Sequence, residues 1–328
     1  MKIIWFTLFF ISFILSIYFT KIWMKIAIRD NITVKDVNKP NQPLIPYSGG
    51  IAIIAAFIIS IFIYVGITTF YFSRTTTLIQ ILGLTTTILI ITFIGFLDDH
   101  LGGWRVGLTR LKKPIMSLPA ALPLMAIKAG HSIMYLPFLG RINTGILYPL
   151  FLIPISIVGA SQGFNILAGL NGLTVGNAII IITTLSYISW RIQNFWVTII
   201  GLIMVSALLG FFIYNKFPSK VFEGDILLYP IGAFIATMVI LGNTEKAGLI
   251  LFIPYFIELF IKLKNRLKSE CFLEPNQDGT LKYPEKIGSL THLAARLVHK
   301  TKGKIYEKDV VRTIWLFQII IAIIAIII

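Results

Sequence analysis

FIGFLDDH, residues 93–100, ends a long apolar segment with two adjacent carboxylates, Asp98 and Asp99. The segment before the pair, residues 78–97, carries no charged side chain and is long enough to cross a bilayer as a helix. Two like charges side by side at a membrane boundary cost free energy unless something compensates them. The stretch therefore predicts a transmembrane helix that ends at a charged site.

The composition indicates that most of the chain lies in the membrane. Of its 328 residues, 56% are hydrophobic and 13% are charged, whereas about a quarter of a soluble domain is charged. The mean hydropathy is +0.85. We therefore expect an all-α integral membrane protein, a single domain over residues 1–328 with about ten transmembrane helices. The apolar segments that predict them are residues 3–19, 49–70, 78–97, 114–130, 147–164, 176–189, 195–214, 226–242, 246–263 and 313–328.

Lysine and arginine give the orientation of these helices. With ten spans, five loops lie on the same side of the membrane and hold most of the 29 basic residues. Basic loops remain in the cytoplasm, so both termini are expected outside. The net charge of +15 follows from this bias, and its spread over several loops does not indicate nucleic-acid binding. The five loops are residues 21–48, 98–113, 165–175, 215–225 and 264–312.

Four stretches in these loops carry candidate functional residues. They are KPNQPLIPYSGG (39–50), DDHLGGWRVGLTRLKKP (98–114), FNILAGLNGLTVG (164–176) and PSKVFEGDILLYP (218–230). Each also has a purely structural interpretation. The first can be a helix-starting turn, and the charges of the second can be interfacial and balanced by Arg105, Arg110 and the lysines. The third can be a helix C-cap built by Asn and Gly, and the fourth can place an N-cap aspartate at Asp225.

Taken together, the four stretches indicate a charged ligand with a metal ion. They supply three carboxylates, asparagine amides and several cations on one face of the membrane. Mg²⁺ is usually held by one or two carboxylates together with substrate phosphates. The sequence has no His/Cys cluster with zinc spacing and no Walker loop. The pattern therefore favours phosphoryl transfer.

NILAGLNGL, VFEGD and FLDDH, in this chain's order and spacing, resemble the polyprenyl-phosphate N-acetylhexosamine-1-phosphate transferases. The resemblance covers roughly residues 40–250 and is strongest to the eukaryotic and archaeal branch that makes dolichyl-diphosphate-GlcNAc. It implies a bundle of ten transmembrane helices with a catalytic face formed by cytoplasmic loops. It also implies Mg²⁺, with Mn²⁺ as a substitute, and the substrates UDP-GlcNAc and a polyprenyl (dolichyl) phosphate.

The same resemblance implies catalytic and metal-binding roles. Asp225 and Asn165 match positions that bind the metal, and Lys113 matches a lysine that faces the phosphates. Asp98 and Asp99 match paired aspartates near the metal and the lipid phosphate. We expect one of the two aspartates to help hold the metal and the other to orient the lysine or the lipid phosphate.

Substrate-binding roles are implied for a second set of residues. Phe222, Gly169 and Asn171 match a uracil site, through ring stacking, backbone contact and hydrogen bonding respectively. The family's basic motif for diphosphate and sugar is missing from residues 264–284, and the candidates to replace it are Arg266, Lys268 and His292. The loop around Pro46, Gly49 and Gly50 matches one that lines the substrate entrance.

The implied reaction gives polyprenyl-diphosphate-GlcNAc and UMP, the first step of lipid-linked oligosaccharide assembly for N-glycosylation. The alternatives are the same chemistry with another UDP-N-acetylhexosamine, a secondary transporter, or an inactive scaffold. Transporter sites lie near the bilayer midplane, whereas the carboxylates here map to one surface. The expected location is an archaeal plasma membrane, with the endoplasmic reticulum as the alternative, and a homodimer is compatible with the sequence.

Overall fold

A computed structural model describes residues 2–101, 112–136 and 140–328, and these residues are predominantly helical. The helices are α1 (Lys2–Arg29), α2 (Gly50–Gly66), α3 (Leu78–Leu101), α4 (Lys112–Ser117), α5 (Leu122–Ala126), α6 (Ile153–Ile166), α7 (Leu173–Arg191), α8 (Phe195–Asn215), α9 (Asp225–Gly242), α10 (Glu245–Leu251), α11 (Ile253–Lys264), α12 (Leu290–Lys302) and α13 (Glu307–Ile327). A 3₁₀ turn, Leu118–Ala121, joins α4 to α5, and π-helical turns occupy Ile67–Tyr71 and Tyr148–Leu152.

Two antiparallel hairpins complete the secondary structure of the described residues. Strands β1 (Thr33–Lys35) and β2 (Leu44–Pro46) pair with Thr33 opposite Pro46. Strands β3 (Ile133–Leu136) and β4 (Gly140–Asn143) pair with Ile133 opposite Asn143.

Eight helices in the described residues are long and apolar enough to cross a membrane. This confirms the prediction of an all-α integral membrane protein. The eight are Trp5–Arg29, Gly50–Tyr71, Leu78–His100, Tyr148–Ile166, Leu173–Arg191, Phe195–Asn215, Asp225–Gly242 and Glu307–Ile327.

The two remaining predicted spans, residues 114–130 and 246–263, are broken helices. The first changes from α4 through a 3₁₀ turn to α5 at Pro119 and Pro123, and the second divides into α10 and α11 next to Pro254. Proline has no N–H to donate and its ring clashes with the preceding turn, so it interrupts a helix. Neither segment therefore forms one long helix, and the count of ten spans stays a prediction.

Helix α9 lies at the centre of the bundle and packs closely against α3 and α6. A Cβ atom on Gly95 of α3 would clash with the carbonyl group of Asp225, and one on Gly232 of α9 would clash with the carbonyl group of Ala160 in α6. Small residues let helix backbones approach this closely inside a membrane bundle. The position of α9 is thus fixed from two sides by backbone contacts.

The predicted inside loops contact one another and lie at one end of the bundle. Asp36 accepts a hydrogen bond from Asn171, and Lys39 forms an ion pair with Glu307. Contacts at the other end join Tyr148 to Glu245 and the side chain of Asn194 to the carbonyl group of Leu241. The charged clusters noted in the sequence therefore meet at one end.

Candidate functional site

Lys113 and two carboxylates form an ion cluster at that end of the bundle. The Lys113 Nζ atom lies 2.7 Å from Asp98 Oδ2 and 3.3 Å from Asp225 Oδ2. Asp98 is 7% exposed and also accepts a hydrogen bond of 2.5 Å from the Tyr229 hydroxyl. The last residues of α3 and the first residues of α4 and α9 thus bring together three groups that are far apart in the sequence.

Asp99 has a different environment from its neighbour Asp98. Its Oδ1 accepts the backbone N–H of Asp225 at 2.7 Å, and its Oδ2 accepts the N–H of Ile226 at 3.2 Å and the Ser48 hydroxyl at 2.8 Å. Since the first N–H groups of a helix have no partner within the helix, Asp99 caps α9 from another helix. Of the two aspartates, Asp98 is the one that contacts Lys113.

The ammonium group of Lys113 is held in its charged form. Burial by itself would lower the pKa of Lys113, but Asp225 and Asp98 outweigh it, and the pKa is raised above its ordinary value. The neighbouring Lys112 is exposed to solvent. Lys113 is thus a fixed positive charge between two carboxylates.

Asn165 lies near the end of α6 and faces the same cluster. Its amide nitrogen lies 3.5 Å from the Tyr229 hydroxyl. That hydroxyl in turn donates a hydrogen bond to Asp98. Within the described ranges, no group of three or more His, Cys, Asp or Glu side chains could hold a metal ion. A hard cation here would use the oxygens of Asp225 and Asn165 together with substrate oxygens, which is the donor set that suits Mg²⁺.

A cavity of about 590 Å³ opens beside this cluster. Its volume falls in the range of small-molecule sites in proteins. The lining includes predicted site residues and many others: Val34, Lys35, Asp36, Val37, Asn38, Tyr47, Lys113, Asn165, Ile166, Ala168, Gly169, Leu170, Phe222, Glu223, Gly224, Asp225, Leu228, Lys262, Ser269, Glu270, Cys271 and Phe272. Its walls thus come from all five predicted inside loops and from helix ends.

Phe222 lines the cavity, and the loop around Pro46, Gly49 and Gly50 supports it from behind. The N–H of Phe222 donates to the carbonyl of Pro46 at 2.8 Å, and the carbonyl of Phe222 accepts the N–H of Gly49 at 2.8 Å. A Cβ atom on Gly49 or Gly50 would clash with Val221 or Leu227. These three residues therefore lie behind the cavity wall, and the side chain from this loop that reaches the cavity is Tyr47.

Asn171 lies behind the cavity wall and is 2% exposed. Its side chain donates to Asp36 at 3.1 Å and accepts the N–H of Ser219 at 2.8 Å, and its own N–H donates to Glu307 at 2.7 Å. Because these bonds use its amide within the protein, the structure places Asn171 as a junction between loops. For Asn171 to form the predicted hydrogen bond to uracil, these hydrogen bonds within the protein would have to rearrange.

Gly169 lines the cavity with a backbone conformation that suits glycine. Its φ is +120°, and an added Cβ would lie 2.7 Å from the ring of Phe272. Its carbonyl accepts the Asn38 amide at 2.8 Å, while the Asn38 oxygen accepts the N–H of Leu273 at 3.2 Å. Asn38 thus fixes the wall that Gly169 and Phe272 form.

Of the three candidates for the missing basic motif, none lines the cavity. Arg266 and Lys268 are exposed. Both ring nitrogens of His292 are engaged with the backbone, with Phe272 at 3.1 Å and Gly288 at 3.0 Å. The basic residue of this part of the chain that does line the cavity is Lys262, which lies in α11. Arg105 and Arg110 fall in residues 102–111, outside the described residues.

Tyr229 and Lys262 are site residues that the sequence interpretation did not identify. Tyr229 follows Asp225 by four residues, and this spacing puts both side chains on one face of α9. Helical spacing from Asp225 could therefore have revealed it. Lys262 sits in an apolar segment with Glu258 one turn before it, and the pairing of those two charges was the available signal.

Comparisons with known proteins identify the family to which this chain is similar. A sequence profile of the family described as glycosyl transferase family 4 matches residues 81–243, which include Asp98, Lys113, Asn165 and Asp225. A Saccharolobus solfataricus protein with the provisional name UDP-N-acetylglucosamine–dolichyl-phosphate N-acetylglucosaminephosphotransferase is 36% identical over 320 residues, which cover 97% of this chain and 94% of that protein.

Two further relatives come from other branches of life. The UDP-N-acetylglucosamine–dolichyl-phosphate N-acetylglucosaminephosphotransferase of Dictyostelium discoideum is 28% identical over 266 residues, 69% of this chain and 64% of its own length. A phospho-N-acetylmuramoyl-pentapeptide-transferase of Lactobacillus gasseri is 31% identical over 185 residues, 53% of this chain and 58% of its own length. From the similarity that spans nearly the whole chain and the profile that covers its ion cluster, we conclude that this chain belongs to glycosyl transferase family 4.

Proposed function

We propose that this protein transfers GlcNAc-1-phosphate from UDP-GlcNAc to a membrane polyprenyl (dolichyl) phosphate. The products are polyprenyl-diphosphate-GlcNAc and UMP, and the reaction begins lipid-linked oligosaccharide assembly for N-glycosylation. The observation that carries the proposal is the cluster of Asp98, Lys113 and Asp225 beside a cavity at one end of a membrane bundle. The names of the archaeal and Dictyostelium relatives support the same donor and acceptor.

The chemistry needs charge compensation more than a strong base. A phosphate monoester has a second pKa of about 6, so the acceptor is largely a dianion at neutral pH. One of its oxygens attacks the phosphorus that bears the sugar, and the bond from that phosphorus to the UMP oxygen breaks. Lys113 offsets the negative charge that gathers at this point. The cavity aligns the two anions at the membrane surface.

The donor set of the site suits Mg²⁺, with Mn²⁺ as a substitute. Asp225 and Asn165 would hold the ion, and Asp98 keeps Lys113 next to them. When bound, the ion supplies Lewis-acid stabilisation of the diphosphate and of the leaving UMP. Phe222 would stack on the uracil ring from the cavity wall.

The orientation belongs to the same proposal. Ten crossings, with the ion cluster on the cytoplasmic face and both termini outside, agree with the basic loops. Contacts at both ends of the first broken segment support its crossing: Lys113 is at the ion cluster, while Gly130 packs against the carbonyl of Ile240 at the other end. The archaeal relative favours an archaeal plasma membrane.

Label transfer tests the proposal directly. Purified protein with dolichyl phosphate, Mg²⁺ and UDP-[³H]GlcNAc should give labelled lipid that extracts into organic solvent. Asp225→Ala or EDTA should abolish the product. If folded protein gives no lipid product with any UDP-sugar, the transferase proposal is wrong.

A second candidate is the same reaction with another UDP-N-acetylhexosamine. It is favoured by the absence of the family's basic sugar motif from residues 264–284. Parallel reactions with UDP-GlcNAc, UDP-GalNAc and a modified hexosamine donor separate the two. Label in the lipid from only one of the other donors would keep the chemistry and change the substrate.

A further inference from the structure

Lys262 is one of three lysines on the cavity wall, with Lys35 and Lys113, and it is distant in sequence from the Asp98–Lys113–Asp225 cluster. Its side chain is 13% exposed, and its Nζ atom donates to the carbonyl of Ile166 at 2.6 Å. Ile166 directly follows Asn165 and is the last residue of α6. The ammonium group is thus held next to the turn that carries Asn165, on the same cavity as Lys113.

A buried carboxylate fixes this lysine. Glu258, one turn earlier in α11, is fully buried, and its Oε1 lies 3.5 Å from Lys262 Nζ. The other oxygen of Glu258 accepts the Ser289 hydroxyl at 2.9 Å and the N–H of Leu290 at 2.6 Å. Glu258 therefore ties Lys262 to the beginning of α12, so the lysine has a defined position in spite of its long side chain.

We infer that Lys262 binds the diphosphate of the nucleotide-sugar donor, and that Glu258 is its positioning residue. The inference rests on the proposed function and names a cation for the part of the chain that lacks the family's basic motif. An ammonium group has three N–H donors: one donates to the carbonyl of Ile166, and Glu258 lies at ion-pair distance from the same nitrogen on the cavity wall. A phosphate oxygen forms a strong, charge-assisted hydrogen bond with such a largely buried ammonium group.

Binding of uridine, UMP and UDP to purified protein, measured by calorimetry without turnover, tests this assignment. Lys262→Met should weaken UDP binding by about 10- to 100-fold, the loss of one charge-assisted hydrogen bond, and leave uridine binding within about twofold. Lys262→Arg should restore most of the affinity for UDP. Glu258→Gln should give an intermediate loss, because the lysine remains but is held less firmly.

The matched control is Lys264→Met, which removes an exposed lysine from the same helix. It should bind UDP as the wild type does. If Lys262→Met binds UDP as tightly as the wild type, or if uridine and UDP affinities fall together, Lys262 does not contact the diphosphate. Wild-type protein that binds neither uridine nor UDP would instead overturn the proposed function, and this inference with it. An unchanged affinity in Glu258→Gln would remove the positioning role of Glu258 alone.

Discussion

Asp98 and Asp99 are adjacent in the chain, yet their carboxylates serve two different helices. Asp98 pairs with Lys113 at 2.7 Å, whereas Asp99 accepts the N–H of Asp225 at 2.7 Å and so caps α9. At the end of α3, Asp98 therefore orients the ammonium group of Lys113, and Asp99 positions Asp225 at the start of α9. Its mutual repulsion is offset by an ammonium group on one side and by backbone dipoles on the other.

This division predicts different effects for the two amide substitutions. Asp98→Asn should lower turnover by about 100-fold or more, because Lys113 loses its nearest counter-charge, with little change in unfolding temperature. Asp99→Asn should lower the free energy of unfolding by about 1 kcal/mol, the usual effect of weakening a helix cap. Label transfer and thermal unfolding of both variants measure the contrast. An unchanged unfolding temperature for Asp99→Asn would contradict the capping role.

The metal-binding proposal predicts a specific response to substitution of Asn165. Asn165→Ala should raise the Mg²⁺ concentration for half-maximal turnover by about 10-fold or more, because one oxygen ligand is lost. Asn165→Asp keeps an oxygen at that position and should need no more metal than the wild type. Turnover measured over a range of Mg²⁺ concentrations compares the three proteins, and identical curves for Ala and wild type would exclude Asn165 as a ligand.

Tyr229 joins Asp98 to Asn165, so its hydroxyl is expected to matter for catalysis. Tyr229→Phe should lower kcat by about 10-fold, because Asp98 loses a charge-assisted hydrogen bond. The matched control is Tyr255→Phe, a buried tyrosine of α11 that stacks on Phe164. It should retain wild-type kcat. Equal losses in the two variants would point to packing rather than to the Asp98 contact.

Two glycines of α2 predict opposite results on substitution by alanine. A Cβ on Gly50 would clash with Leu227, so Gly50→Ala should destabilise the protein by about 1–3 kcal/mol. No atom lies within 4 Å of a Cβ built on Gly66, so Gly66→Ala should be neutral or stabilising by up to about 1 kcal/mol. Unfolding temperatures in the same detergent give both values. A stable Gly50→Ala protein would show that the loop and α9 can separate.

Cys271, the single cysteine of the chain, should be unreactive in the folded protein. It is 4% exposed, and burial raises the pKa of its thiol to about 11. Since the thiolate is the reactive form, maleimide labelling at neutral pH should be slow and should rise as the pH approaches that value. Labelling that is fast at neutral pH in folded protein would contradict the buried position, and denatured protein is the positive control.

The ion cluster could be predicted from the sequence because its members stand in recognisable motifs. FLDDH, NILAGLNGL and VFEGD contain Asp98, Asn165 and Asp225, and the stretch of residues 98–114 contains Lys113, so the resemblance predicts all four as site residues. The structure brings the four together. Their binding and catalytic roles stay predictions that the experiments above test.

The remaining features depend on packing that the sequence does not encode locally. Gly49 and Gly50 read as a loop near substrate, yet tertiary contacts place them against Val221 and Leu227. The sequence predicts that Asn171 binds substrate, yet its side chain is buried and donates a hydrogen bond to Asp36, 135 residues away. The broken helices were partly visible, because Pro119, Pro123 and Pro254 stand inside the predicted spans.

The close approach of Gly95 and Gly232 to neighbouring backbones has a consequence for how this protein can change over evolution. Helix α9, with Asp225 and Tyr229, cannot shift without disturbing two other helices, so its geometry tolerates few substitutions. The wall around Phe272 and Cys271 belongs instead to a connection between helices, where substitutions leave the bundle intact. Substitutions in this wall can therefore change the shape of the cavity while the geometry of Asp225 and Tyr229 stays the same.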